Sequence, residues 1–106
     1  MKSILILCAG VALGVGLAFA GAAEGKAVFG AKCQSCHGEK GEGKEALAKM
    51  LKVTMLHLGS KEVQAKSDAD LKNIVAKGQG KMKGVAGLTE QQHADVVAYM
   101  RTLKQK

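Results

Sequence analysis

The sequence predicts an all-α protein with three to five short helices. Two observations support this fold class. Apolar residues recur at helical spacing in the second half of the chain, and only Val53 to Leu58 forms an apolar stretch that could be extended. The 106 residues include no proline, and many of the 14 glycines fall between the helical segments. The glycines therefore indicate long connections between short helices.

The first twenty residues have the pattern of a secretory signal peptide. A short positive start at Met1 to Ser3 precedes an uncharged apolar run from Ile4 to Leu17. Ala18, Phe19 and Ala20 then form the small-x-small site that signal peptidases cut. We therefore expect residues 1–20 to be an export leader.

The cleavage site can follow Ala20 or Ala23. We favour Ala20, because it matches the small-x-small pattern more closely. The alternative is an uncleaved anchor, since Ile4 to Ala23 has about the 20 residues that cross a bilayer. With cleavage, residues 21–106 form a single domain in the periplasm without stable membrane insertion.

The chain is basic, with a formal net charge of +7. Only Lys2 of the charged residues lies in the leader, so the remaining chain carries +6. Export and the lack of aromatic residues among the lysines argue against nucleic acid as a partner. The charge instead favours a membrane surface or acidic partner proteins, or else serves only to keep a solvated surface soluble.

Two helices and a loop are predicted in the first half of the domain. Glu24 to about Lys32 forms a helix that leads into a cysteine-rich motif, and the glycines of residues 38–43 indicate a loop. Lys44 to about Leu51 forms the next helix, with Met50 on its apolar face.

Two further helices have clear end signals. Ser67 can cap a helix that ends at Gly78. Thr89 and Gln92 form a capping box at the start of the last helix. Met100 belongs to the apolar stripe of that last helix, so we expect it in the core. His93, in its first turn, is expected to face solvent.

Residues Cys33 to His37 read C-x-x-C-H, the attachment motif for c-type haem. Two thiols at this spacing can add to the two vinyl groups on one edge of a porphyrin, and the histidine then lies beneath the iron. A redox-active dithiol would need a preceding strand, and a zinc site would need two more ligands. The motif therefore predicts one covalent haem held by Cys33 and Cys36, with His37 as an axial ligand of the iron.

The second axial ligand is predicted to be Met82. This methionine lies in a polar, glycine-rich loop over residues 77–84, where an isolated apolar side chain needs a partner. Met55 and His57 remain alternatives at this point.

These features together resemble the class I c-type cytochromes, the small soluble monohaem proteins of bacterial and photosynthetic electron transfer. Gly25 and Phe29 before the motif match the family's G-x-x-x-F, and Gly80 to Met82 resembles the loop that delivers the axial methionine. In this family the last helix crosses the first at the position of Gly25 and places Tyr99 near Phe29. The match covers essentially all of residues 24–106.

The resemblance implies a small cytochrome c fold wrapped around one covalent haem, and a function as a periplasmic electron carrier. The iron would cycle between Fe(III) and Fe(II) between redox partner proteins that have acidic docking surfaces. It also implies a monomer without enzymatic activity. The alternatives are a haem-based sensor or ligand binder with a weak sixth ligand and, less favoured, a peroxidase.

The chain departs from the family pattern after Met82. Many relatives have proline there, whereas this chain has Lys83. Larger relatives also use a proline carbonyl to accept a hydrogen bond from the ligating histidine. This chain has no proline, so His37 is expected to donate to another backbone carbonyl or to water.

Overall fold

The computed structural model of the chain describes residues 21–106. The predicted leader, residues 1–20, lies outside the described residues. The elements are, in order, α1 (Ala22–Lys32), α2 (Gln34–His37), α3 (Glu45–Leu51), α4 (Lys61–Gln64), α5 (Asp68–Lys77), β1 (Gly78–Gln79), β2 (Met82–Lys83) and α6 (Glu90–Thr102). The all-α fold class is confirmed. The described part has six helices, one more than the upper end of the predicted range. Two of the six, α2 and α4, are single turns of four residues.

Both predicted caps are confirmed. The Ser67 hydroxyl accepts a 3.1 Å hydrogen bond from the backbone N–H of Asp70 at the start of α5. The capping box of α6 is complete: Thr89 Oγ1 accepts from the Gln92 N–H at 3.1 Å, and the Gln92 side chain accepts from the Thr89 N–H at 2.9 Å. These bonds satisfy backbone donors that a helix start leaves free.

The core lies where α5 and α1 pack against α6. Its buried apolar side chains are Phe29, Val63, Leu71, Val75, Val96, Val97 and Met100. The prediction that Met100 is a core residue is confirmed. The rings of Phe29 and Tyr99 pack against each other with their centroids 5.2 Å apart and their planes tilted by 52°. Such a tilted aromatic contact adds to the stability gained by burial alone.

The crossing of α1 and α6 depends on the missing side chain of Gly25, which is buried. A Cβ at this position would overlap the backbone carbonyl of Asp95 and lie 3.0 Å from Tyr99 Cβ. The resemblance predicted this close approach and the contact of Tyr99 with Phe29, and the structure has both. Glycine is therefore required here by the approach of another backbone.

We predict that Gly25→Ala lowers the stability of the haem-loaded protein by about 1–3 kcal/mol, because the two helices must move apart. In contrast, a Cβ at Gly30, also in α1, would meet only the end of the Gln34 side chain, at 3.6 Å. Gly30→Ala should therefore raise stability by up to about 1 kcal/mol, since alanine favours helix more than glycine does. Thermal unfolding of both variants measures the difference, and Tm shifts of the same sign would contradict this account of the crossing.

Arg101 fixes α6 to the start of α5. Its guanidinium donates to the backbone oxygens of Gln64 at 2.9 Å and Lys66 at 2.8 Å, and to Asp68 Oδ1 at 2.7 Å. Charged donors make strong hydrogen bonds to backbone oxygens. The bonds hold the α4–α5 connection against the end of the last helix.

The predicted loop over residues 77–84 contains a short antiparallel hairpin. Gly78 pairs with Lys83 and Gln79 pairs with Met82. Gly80 lies in the two-residue turn with φ of 58°, where glycine suits the tight reversal of a hairpin. The stretch 53–57, in contrast, has no regular secondary structure. It is therefore a loop rather than a strand.

Candidate haem site

Cys33, Cys36 and His37 lie together on a single helical turn. Cys33 is the N-cap residue of α2, and its carbonyl accepts hydrogen bonds from the N–H groups of Cys36 at 3.2 Å and His37 at 3.0 Å. Cys33 is half-buried against the core, whereas Cys36 is exposed. Neither cysteine forms a disulfide within residues 21–106. The turn thus presents two available thiols and an imidazole from adjacent positions.

Burial shifts the pKa values of Cys33 and His37 in this turn. It raises the pKa of the Cys33 thiol, and the neighbouring Cys36 adds to the shift. Burial also lowers the pKa of His37. The imidazole is therefore neutral at neutral pH, which is the form that binds a metal ion.

The Nδ1 atom of His37 is buried and has no hydrogen-bond partner among residues 21–106. The sequence predicted a backbone carbonyl or water as its acceptor. No carbonyl among residues 21–106 accepts a hydrogen bond from this nitrogen. A buried ring nitrogen without a protein partner is unusual in a structural histidine, and it suits a ring that serves a bound group.

The glycine-rich loop after His37 brings a second segment to the motif. Gly41, with φ of 77°, would place a Cβ 2.9 Å from Leu58 Cβ. Its carbonyl accepts a 2.9 Å bond from the N–H of Leu58. Met55 lies beside Gly43 in the same way, because a Cβ there would be 3.3 Å from Met55 Cβ. The loop therefore connects the motif to residues 53–58.

Met82 comes from the hairpin and is half-buried. The hairpin is held on one side by a 2.7 Å bond from the Val85 N–H to the carbonyl of Val75 in α5. On the other side, the Lys81 ammonium donates to the carbonyl of Leu51 at 2.5 Å. Leu51 is the last residue of α3, and the carbonyls of a helix end need such donors. Sequence reasoning did not find this contact, because it joins residues 30 positions apart.

The other candidate ligands have different environments. Met50 is 71% exposed, so the prediction that it packs on the apolar face of α3 is wrong, since α3 buries none of its residues. Met55 is half-buried. His57 is held in a turn, where its Nδ1 accepts a 2.9 Å bond from the Gly59 N–H. His93 is half-buried with its Nε2 enclosed, so the prediction that it faces solvent is wrong.

Large apolar side chains around these segments are left partly exposed. They come from α3 and the loop after it, from α5, and from the hairpin and the residues after it: Leu47, Met50, Leu51, Val53, Met55, Leu56, Ile74, Met82 and Val85. Leu56 is 40% exposed. Apolar side chains at this density on the surface of a small protein indicate a bound apolar group. A flat porphyrin attached at the α2 turn fits both the apolar side chains and the free thiols.

Two comparisons with known proteins show the family of this chain. The sequence profile of the family described as Cytochrome c matches residues 22–104. This chain belongs to the cytochrome c family. A curated relative, cytochrome c-554(547) of Halothiobacillus neapolitanus, is 33% identical over 89 residues, which cover 78% of this chain and 97% of the relative.

Membership of the cytochrome c family establishes the cofactor and the class of function. The cofactor is haem c, with its iron, attached covalently to the chain. The protein is a haem-based electron carrier that interacts with redox partner proteins. Within residues 21–106, no helix of this cytochrome is both long enough and apolar enough to cross a bilayer. The same residues contain no cluster of three or more His, Cys, Asp or Glu suited to a metal ion.

Proposed function

We propose that this cytochrome is a periplasmic carrier of single electrons, with Cys33 and Cys36 as the haem thioethers and His37 and Met82 as the axial ligands. The observation that supports the proposal most strongly is the α2 turn, where two cysteines that form no disulfide precede a half-buried imidazole. When bound, the haem supplies a one-electron Fe(III)/Fe(II) couple. A methionine opposite a histidine favours Fe(II) and raises the reduction potential.

The residues around Met82 support a carrier over a sensor. Lys83 replaces the proline that stiffens many relatives, yet the hairpin is paired within itself and is bonded to both Val75 and Leu51. When haem is bound, a Met82 thioether held in this way would keep external ligands from the iron.

Carbon monoxide tests this proposal against the sensor. We expect the reduced protein at neutral pH to bind carbon monoxide little and slowly, because Met82 must leave first. The measurement is the absorption spectrum under carbon monoxide, with a Met82→Ala variant as the positive control. Rapid binding by the wild type would favour a ligand sensor, and rapid turnover of hydrogen peroxide would favour an enzyme.

In this proposal the cytochrome is exported to the periplasm. The leader pattern of residues 1–20 supports export. We also propose that the exported protein is a monomer, which sedimentation of the purified holoprotein tests directly.

The proposed partners are proteins with acidic docking surfaces. The described segments beside the motif and the hairpin present exposed lysines: Lys32, Lys40, Lys77 and Lys83. Positive charge beside the haem-binding motif and the hairpin raises the rate of encounter with an acidic partner more than it raises affinity.

We expect the rate of electron transfer to an acidic partner to fall as ionic strength rises, because salt screens exposed charges. Lys77→Gln together with Lys83→Gln should lower the rate at low salt and weaken the salt dependence. Lys26→Gln, which removes an exposed lysine of α1, is the control for lost charge. A rate that does not change with ionic strength would rule out steering by these lysines.

A further inference from the structure

The start of α1 meets a buried carboxylate from the last helix. Asp95 of α6 is only 6% exposed. Its Oδ1 accepts a 2.8 Å hydrogen bond from the backbone nitrogen of Gly21, the N-cap residue of α1. The same oxygen accepts a 2.9 Å bond from the side-chain amide of Gln91. These donors, with Gly21 the stronger influence, hold the pKa of Asp95 below its usual range, so the carboxylate is charged at neutral pH.

Asp95 has no cationic partner among residues 21–106. The two ion pairs of this part of the chain join Lys49 to Glu45 and Arg101 to Asp68. Gly21 and Gln91 offer Asp95 only neutral amide groups. A buried charge is costly unless a charge of opposite sign accompanies it. The position of Gly21 is where such a charge would fit.

A second carboxylate lies at the same place. The side chain of Glu24 folds back over Gly21, so that a Cβ on Gly21 would overlap its Oε1. The start of a helix normally disfavours positive charge. Two carboxylates around one backbone nitrogen offset that effect and make the position suitable for a cation.

We propose that export cleaves the chain between Ala20 and Gly21 and that the new ammonium group of Gly21 forms an ion pair with Asp95. In this step water hydrolyses the peptide bond, Ala20 keeps the new carboxylate, and the Gly21 nitrogen becomes the ammonium group. The inference rests on the export proposed above. Cleavage after Ala23 would instead remove Gly21 and the first two residues of α1, and it would leave Asp95 with the Gln91 amide alone.

The amino terminus of the exported protein tests the cleavage site. The full chain is produced in a bacterial host that exports proteins and attaches haem, and the intact mass of the holoprotein is measured. We expect a chain that begins at Gly21. A chain that begins at Glu24 would overturn the inference while leaving export and cleavage intact, whereas an uncleaved chain would overturn the cleavage on which the inference rests and favour the uncleaved anchor.

The reactivity of the new amino group tests the ion pair. A paired ammonium reacts slowly with an acylating reagent at neutral pH. Asp95→Asn should therefore raise the rate of acylation at Gly21 by about threefold or more, the effect of about half a pKa unit. Asp70→Asn, which removes an exposed carboxylate in the first turn of α5, should leave the rate unchanged.

A second variant keeps the test informative if Asp95→Asn does not fold. One glycine inserted between Ala20 and Gly21 moves the ammonium group away from Asp95 while preserving the carboxylate. The acylation rate should rise as it does in Asp95→Asn. A wild-type rate in either folded variant would overturn the ion pair.

Discussion

Replacement of Met82 by alanine in the haem-loaded protein is expected to abolish the weak absorption band near the red end of the visible spectrum. The reduction potential should fall at the same time, because a thioether opposite histidine favours Fe(II). Axial ligands spread the potentials of haem proteins over about 0.8 V, so potentiometric titration can readily measure the change. Both effects follow if the hairpin delivers Met82 to the iron.

The matched controls are the other methionines near the site. Met55 is half-buried beside the loop that follows the motif, and Met50 is 71% exposed on α3. Met55→Ala and Met50→Ala should each retain the band and the potential. If Met55→Ala lost the band and Met82→Ala kept it, the assignment of Met82 would be wrong and Met55 would take its place.

Loss of haem attachment is expected to leave residues 21–106 largely unfolded. The described core contains seven buried apolar side chains, of which only Phe29 is aromatic. The apolar side chains of the segment 47–58 and of the hairpin are only partly covered by protein. A chain of this size has little surplus stability to compensate for that exposure. The double variant Cys33→Ala, Cys36→Ala should therefore show weak helical circular dichroism.

Thermal unfolding provides the test of this dependence on haem. The double variant should melt without a cooperative transition, whereas Ser35→Ala, which changes the exposed residue between the two thiols, should retain haem and unfold cooperatively. A cooperative transition in the double variant would show that the chain builds a sufficient core alone. It would contradict the proposed role of haem in the fold.

Local signals predicted most of the helices. The caps at Ser67 and Thr89 depend on side chains that bond to their own helix start, so sequence spacing is enough to find them. The approach of α6 to Gly25 was predicted in another way, through the resemblance to the family. In both cases a short pattern of residues contains the necessary information.

Contacts between distant segments were not predictable in this way. The apolar spacing placed Met50 on a packed face, but spacing does not reveal that α3 has no buried face in the described protein. The same limit applies to His93, whose half-burial depends on residues outside its own helix. The bond from Lys81 to Leu51 joins the hairpin turn to the end of α3, and only the folded chain defines their approach.

The residues of the candidate site also differ in how far local sequence patterns predict them. The C-x-x-C-H motif identified Cys33, Cys36 and His37 because its chemistry is contained in five consecutive residues. Met82 was inferred from the polar composition of its loop and from the family. The pairing of the hairpin and its two outside bonds were invisible, since no local pattern in the sequence encodes them.

The bond between Lys81 and Leu51 gives one exposed ammonium group two roles. Lys81 stands beside Lys83 and carries a charge that can attract an acidic partner, while one of its N–H groups holds the end of α3. An ammonium group has three N–H donors, so a partner carboxylate can bind it without breaking the bond to Leu51. A partner that docks at Lys81 would therefore contact the side chain that joins the Met82 hairpin to α3.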